Sequence, residues 1–204
     1  MRLRKCILTE NACYKTGRRI SPKGIVVHST GANNPNLRRY VQPDDGLLGS
    51  NNYNNHWNTS GLSVCVHAFI GKLMNGDVAT YQTLPWNMRC WGCGSGRFGS
   101  YNDSHIQFEI CEDGLNDRDY FDAVYREAVE LCAYLCEQYD IDPNSVCDHS
   151  EAARVGYASN HADVSHWFPR HGKNMDIFRA DVREELENVT YEKWKEYHEK
   201  YMAE

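Results

Sequence analysis

The sequence predicts an α/β (α+β) layered domain, a mixed central β-sheet flanked by helices. Three observations carry this. Short apolar or alternating runs recur along the chain, two of them are joined by an Asn-Gly hairpin turn, and the stretch from Asp117 to Tyr139 places apolar residues on one helical face.

In chain order, a short helix is expected from Thr9 to Thr16, with Thr9 as its cap and Gly17 as its stop. Pro22 leads into a buried strand, Gly24-Ile25-Val26-Val27-His28. The segment from Gly31 to Ser60 is rich in Asn, Gly and Pro and reads as a long surface connection of the kind that often carries function. Val64, Val66 and Ala68 alternate with Cys65, His67 and Phe69 as a strand, Asn75-Gly76 turns the chain, and Asp77 to Thr83 returns. A Gly-rich loop from Gly92 to Gly99 precedes a further strand, His105 to Cys111. Phe121, Val124, Tyr125, Ala128, Cys132, Leu135, Cys136 and Tyr139 then line the apolar face of the longest helix. A strand from Ser145 runs into His149, a helix from about Asn174 to Leu186 buries Phe178, Val182 and Leu186, and Thr190 caps a last amphipathic piece with Trp194, Tyr197 and Tyr201 along one stripe. We expect a catalytic domain over 1–187 and a C-terminal amphipathic helix or linker over 188–204.

Composition narrows the function. With 204 residues, 41% hydrophobic and 25% charged, the chain suits one domain with a substantial core. No apolar run approaches the ~20 residues of a membrane helix. The basic start, Met1 to Lys5, lacks the apolar stretch of a secretory peptide, so synthesis in the cytoplasm without a signal is expected. A net charge of -6 with dispersed basic residues argues against nucleic acid as a partner. Nine cysteines without an export signal read as reduced thiols, and the lone Cys90-Trp91-Gly92-Cys93 pair reads as structural.

The candidate chemistry lies in histidines and an aspartate near sheet edges, each of which taken singly suits a structural role as well: a hydrogen-bonded histidine at a strand end, or an aspartate capping a helix or turn. Zinc in a hydrolytic site takes three protein ligands and keeps a fourth position for water. His28, His149 and Asp163 can supply that set from separate segments.

Five motifs occur in order: Val26-Val27-His28-Ser29, Val66-His67-Ala68-Phe69-Ile70 with Asn75-Gly76-Asp77, Ser104-His105-Ile106-Gln107-Phe108-Glu109-Ile110, Asp148-His149-Ser150-Glu151, and His161-Ala162-Asp163. On these the chain resembles the zinc-dependent N-acetylmuramoyl-L-alanine amidases of the phage-lysozyme and peptidoglycan-recognition-protein type, over roughly residues 20 to 185. The run from Ala158 to Trp167, with Met175-Asp176 and Phe178-Arg179, looks like phage and prophage endolysins of Gram-positive hosts. The resemblance implies one Zn2+ held by His28, His149 and Asp163 with water at the fourth position, Glu109 as general base, and peptidoglycan as substrate. His161, two residues from a ligand, would donate to the developing oxyanion. Such an enzyme would act at the bacterial cell wall.

The chain departs from the family pattern in three places. Val164 and Ser165 replace the usual Pro-Gly after the third ligand. Thirteen residues separate His149 from Asp163, which leaves His166 and His171 as rival ligands. Trp91-Gly92-Cys93-Gly94 stands where Trp-His-Ala-Gly is usual, so a groove-lining histidine is missing. Trp86, Trp91, Asn54 and Asn55 suit a substrate groove and suit packing equally. Two rival readings remain: a peptidoglycan-binding module that has lost its metal, and a thiol hydrolase pairing a cysteine with a histidine.

Overall fold

The computed structural model describes residues 1–188. Its strands are β1 (Leu3–Lys5), β2 (Gly24–Ser29), β3 (Ala68–Lys72), β4 (Val78–Gln82), β5 (His105–Ile110) and β6 (Val146–Asp148), and its α-helices are α1 (Ala12–Thr16), α2 (Arg118–Tyr139), α3 (His149–Arg154) and α4 (Met175–Asn188). The strands form a single sheet in the order β1-β4-β3-β5-β2-β6. Only β3 and β4, the hairpin, pair antiparallel; every other ladder is parallel. The expected mixed sheet flanked by helices is the architecture found.

Successive side chains on a strand point to opposite faces, and this divides the interior in two. Ile25 and Val27 of β2, Ala68 and Ile70 of β3, and Ile106, Phe108 and Ile110 of β5 face α2 and α4 in one core. Phe69, Ala79 and Tyr81 point the other way, into a second core with Leu37, Val41, Leu48 and Leu84 from the long connections. Burying each large apolar side chain contributes about 1.5–3 kcal/mol, so the sheet is stabilised from both sides.

α2 begins where Asp117 accepts a hydrogen bond from the Tyr120 N–H and ends on Asp140 in the left-handed region. Burial covers one stripe in its first half and nearly the whole circumference from Ala128 to Cys136, and α4 packs beside the helix, with Tyr125 meeting Phe178 and Asp181. α1 is capped by Asn11, whose side chain accepts from the Cys13 N–H, and not by Thr9 as expected. Asn11 is wholly buried and also donates to Trp57 O and Val64 O, which ties the helix start to the long connection. Gly17, with φ of 64°, ends the helix as expected.

Two strand expectations are corrected. Leu3–Lys5 forms an edge strand that the sequence did not suggest, being too short for periodicity to register. The strand expected from Val64 starts only at Ala68, because Cys65 makes an isolated bridge to Trp91 instead of joining the ladder. The stripe of Thr190, Trp194, Tyr197 and Tyr201 lies outside the described residues. Among the described residues no helix is long and apolar enough to cross a membrane.

Candidate metal centre

β2 and β5 run parallel in a register that sets Val26 beside Gln107 and His28 beside Glu109. Since Ile25, Val27, Ile106 and Phe108 face α2, alternation puts His28, Gln107 and Glu109 together on the opposite face. Phe69 of β3 flanks Glu109 on its other side. His149 arrives from the third direction. β6, paired with β2, ends at Asp148, and His149 is the first residue of α3. That corner is fixed by a capping box in which the Asp148 carboxylate accepts from the Glu151 N–H at 2.7 Å and Glu151 accepts from the Asp148 N–H at 3.3 Å. Arg179 of α4 holds Glu151 in turn, at 2.9 and 3.2 Å.

Asp163 comes from a 3-10 turn, Asp163–His166, and its φ of 42° places it in the left-handed region. Aspartate tolerates that region better than most residues, and the next turn holds it there. Trp167 is fully buried, edge-on to Phe121 at 5.5 Å and stacked near Tyr120 at 6.4 Å.

These segments bring three donor atoms to one point. Asp163 Oδ2 lies 2.6 Å from His149 Nδ1 and 2.9 Å from His28 Nδ1, and the two ring nitrogens are 3.2 Å apart. Both rings are buried. Among the described residues no other three His, Cys, Asp or Glu side chains gather in this way. Two imidazole nitrogens and a carboxylate oxygen are the donor set of a tetrahedral divalent site with one vacant corner. A proton network serves the same atoms poorly, because two N–H groups aimed at one oxygen would face each other at 3.2 Å. The residues present therefore fit a metal ion.

Without an ion, protons occupy the same atoms, and a metal would have to displace them from both Nδ1 positions. Burial opposes the charged form of His28, yet the hydrogen bond to Asp163 and its charge prevail and raise the ring to about 9. Burial works against the Asp163 carboxylate too, but hydrogen bonds from His149 and His28 hold it well below the usual range. Glu109 is shifted the other way: burial, reinforced by the charge of Asp163 and opposed by His28, pushes it up to about 7. The residue as a whole is half-buried, while its Oε2 is completely covered and has no hydrogen-bond partner. A covered, unpartnered oxygen that costs about 1–3 kcal/mol marks a group kept for something other than stability.

The other candidate histidines, His161, His166 and His171, separate cleanly. His161 is exposed, with its ring 4.9 Å from that of His149. The rival ligands go elsewhere: His166 Nε2 lies 3.0 Å from Glu112 Oε1, and His171 stacks on Phe121 at 4.1 Å with Nε2 3.2 Å from Leu115 O. Trp86 is core. Trp91 is partly exposed under Arg89, and Asn55 lines a cavity of about 420 Å³ with Arg38, Arg39, Asn52 and Tyr53. All nine cysteines are free thiols.

Two residues that sequence reasoning passed over touch the donor rings from behind. Gln107 Oε1 lies 2.9 Å from His28 Nε2, and Ser159 Oγ lies 3.3 Å from His149 Nε2. Alternation along β5 already set Gln107 on the face of Glu109, two residues on; nothing in the sequence signalled Ser159. The missing groove histidine also has a local cause. A Cβ at Gly92 would come within 2.6 Å of Gln107 Oε1 and 2.9 Å of Val66 Cγ1.

The family described as N-acetylmuramoyl-L-alanine amidase matches residues 17–166 of this chain. Among solved structures, PlyL is similar with a TM-score of 0.65 and 22% identity, covering 89% of this chain and 97% of that one. The PlyG catalytic domain gives a TM-score of 0.65 and 23% identity over 94% of this chain and 98% of that one. The Staphylococcus aureus hydrolase AmiA gives 0.62 and 20% over 91% and 83%. At these identities the likeness is one of fold. No curated protein sequence matches.

Proposed function

This chain belongs to the N-acetylmuramoyl-L-alanine amidase family, and on that premise we propose that it is a zinc-dependent hydrolase of the amide bond between N-acetylmuramic acid and L-alanine in peptidoglycan. The observation that carries the proposal is the convergence of His28 Nδ1, His149 Nδ1 and Asp163 Oδ2 within 2.6–3.2 Å of one another, on the sheet face that also bears Glu109. His28, His149 and Asp163 would hold the ion. When bound, zinc supplies a Lewis acid that polarises a carbonyl oxygen and acidifies water.

The chain's own groups supply the rest. As water attacks the carbonyl carbon, Glu109 takes its proton on a carboxylate oxygen. The carbon–nitrogen bond then breaks, and the same proton passes from Glu109 to the leaving nitrogen of L-alanine, which departs as a free amine while the lactyl group keeps the new carboxyl. His161, exposed beside His149, donates a hydrogen bond to the oxygen on which negative charge develops. Residues 1–187 form the catalytic unit on this reading, with 188–204 as an extension. The run from Ala158 to Trp167, with Met175-Asp176 and Phe178-Arg179, supports a role as a phage or prophage lysin.

Glu109→Gln tests the assignment. It keeps the shape and removes the base, so zinc content should hold while release of peptides with a free L-alanine amine falls about 10²–10⁴-fold. Wild-type protein that binds muropeptide yet neither loads zinc nor frees an amine would mean a binding module instead.

A further inference from the structure

Each of the two donor histidines has one ring nitrogen facing the shared point and one facing away. The away-facing nitrogens enter two hydrogen-bond chains, and both chains start from the same short segment, Gly92-Cys93-Gly94.

The first chain can be read atom by atom. Asn102 Oδ1 accepts the backbone N–H of Gly92 at 2.9 Å and of Cys93 at 3.2 Å, so that atom must be the oxygen; Asn102 Nδ2 correspondingly donates to Gly94 O at 2.8 Å. Gln107 Nε2 donates to the same Asn102 Oδ1 at 2.9 Å and lies 3.5 Å from Cys93 Sγ. The Gln107 amide is therefore oriented with Oε1 toward His28 Nε2, 2.9 Å away. A carbonyl oxygen only accepts. The neutral, metal-binding form of His28 must carry its proton on Nε2, which leaves the Nδ1 lone pair facing Asp163 and His149.

The second chain works likewise. Cys93 O accepts the Ser159 N–H at 2.9 Å and the Ser159 hydroxyl at 3.3 Å. With its proton directed to that carbonyl, Ser159 Oγ accepts from His149 Nε2 at 3.3 Å. His149 Nδ1 is again left as a lone pair. Gln107 and Asn102 are fully buried, so no bulk water substitutes for either contact in the first chain.

Space for both chains depends on missing side chains. A Cβ on Gly92 would stand 2.6 Å from Gln107 Oε1, and one on Gly94, whose φ is +62°, would stand 2.7 Å from Ser159 Oγ.

We propose that Gln107 and Ser159 are positioning residues, which through the Asn102 side chain and the Cys93 backbone lock His28 and His149 into the tautomer that offers Nδ1 to the metal. The inference rests on the zinc reading above and adds to it the residues that set affinity and ring orientation. Neither residue touches the reacting bond; both act through the ligands, where outer partners of this type are worth about 10–100-fold in metal affinity.

The test uses zinc-loaded wild-type protein and the variants Gln107→Leu and Ser159→Ala. Imidazole nitrogen NMR of the loaded wild type should show Nε2–H protons on His28 and His149, with zinc on Nδ1. Competition with a chromophoric chelator should show zinc affinity about 10–100-fold weaker in each variant. The half-exposed Ser159 provides a variant that folds even if Gln107→Leu does not. A merely structural role would change unfolding while leaving zinc affinity as in the wild type. Coordination through Nε2, or unchanged affinity in a folded variant, overturns the inference and leaves the zinc reading standing; a wild type that binds no zinc overturns both.

Discussion

Three histidines of this chain have different fates for reasons visible in their immediate partners. His28 and His149 direct Nδ1 at a carboxylate and at each other. His67, equally buried, has both nitrogens satisfied by backbone: Nε2–H donates to Met88 O at 2.7 Å, and Nδ1 accepts from the Gln107 N–H at 3.0 Å. A ring whose Nδ1 is already an acceptor has no place for a second proton. Burial, against the weaker opposing pull of those two backbone contacts, lowers His67 to about 4. The unfolded ring titrates near 6.5, so the neutral ring's contribution is fully present above that pH and is lost as pH falls from 6.5 toward 4. At about 1.4 kcal/mol per unit, the linkage amounts to something on the order of 3 kcal/mol. NMR of the folded protein at pH 5 should find His67 still neutral; a ring titrating near 6.5 would contradict this. The proposed ligands, the base and His161 were legible in the sequence because each stands in a short run of distinctive type. Gln107 and Ser159 were not, since their importance comes from which atom of a histidine they face, and chain order does not encode that.

Among the elements, α2 decides where Asp163 sits, although it contributes no group to the site. Phe121, 1% exposed, meets Trp167 and Phe168 edge-on at 5.5 and 5.7 Å and stacks with His171 at 4.1 Å. All three partners lie just after Asp163 in the chain. Phe121→Ala should therefore cost about 3–5 kcal/mol in denaturant unfolding, and it should also weaken metal binding by loosening the turn that carries Asp163. A loss below about 1 kcal/mol would mean that this cluster does not anchor the turn. The helical face that holds Phe121 was plain in the sequence from its spacing. The short turns were not: the 3-10 turns at Asp163–His166 and Phe168–His171 lack the length that makes a period visible, and His171 looked like a possible ligand until its stacking partner was known. β1 was missed for the same reason of length, and Val64–His67 was misread because its alternation serves a bridge and two buried contacts in place of a ladder.

At the scale of the whole molecule, the parallel β2, β5 and β6 end on one side of the sheet, where residues distant in sequence meet: His28 after β2's apolar run, Glu109 in β5, and His149 just past β6. Layer architecture was legible because apolar alternation and helical spacing are local signals, whereas the strand order β1-β4-β3-β5-β2-β6 depends on pairings that no single segment specifies. The thiol-hydrolase alternative loses support at this scale as well. Burial raises the thiols of Cys65, Cys90, Cys111 and Cys132 well above the ordinary value, and that of Cys6 to about 11, so none of these is a ready thiolate at neutral pH. What remains central is the proposal that a strand end, a capped helix start and a 3-10 turn are folded so that three side chains can hold one ion. The direct measurement is the metal content of gel-filtered protein by plasma mass spectrometry, for the wild type beside His28→Ala, His149→Ala and Asp163→Ala, each checked for folding by circular dichroism. A single zinc per chain is expected in the wild type and none in the folded variants; zinc retained in all three, or missing from the wild type after incubation with the metal, would overturn the ligand assignment.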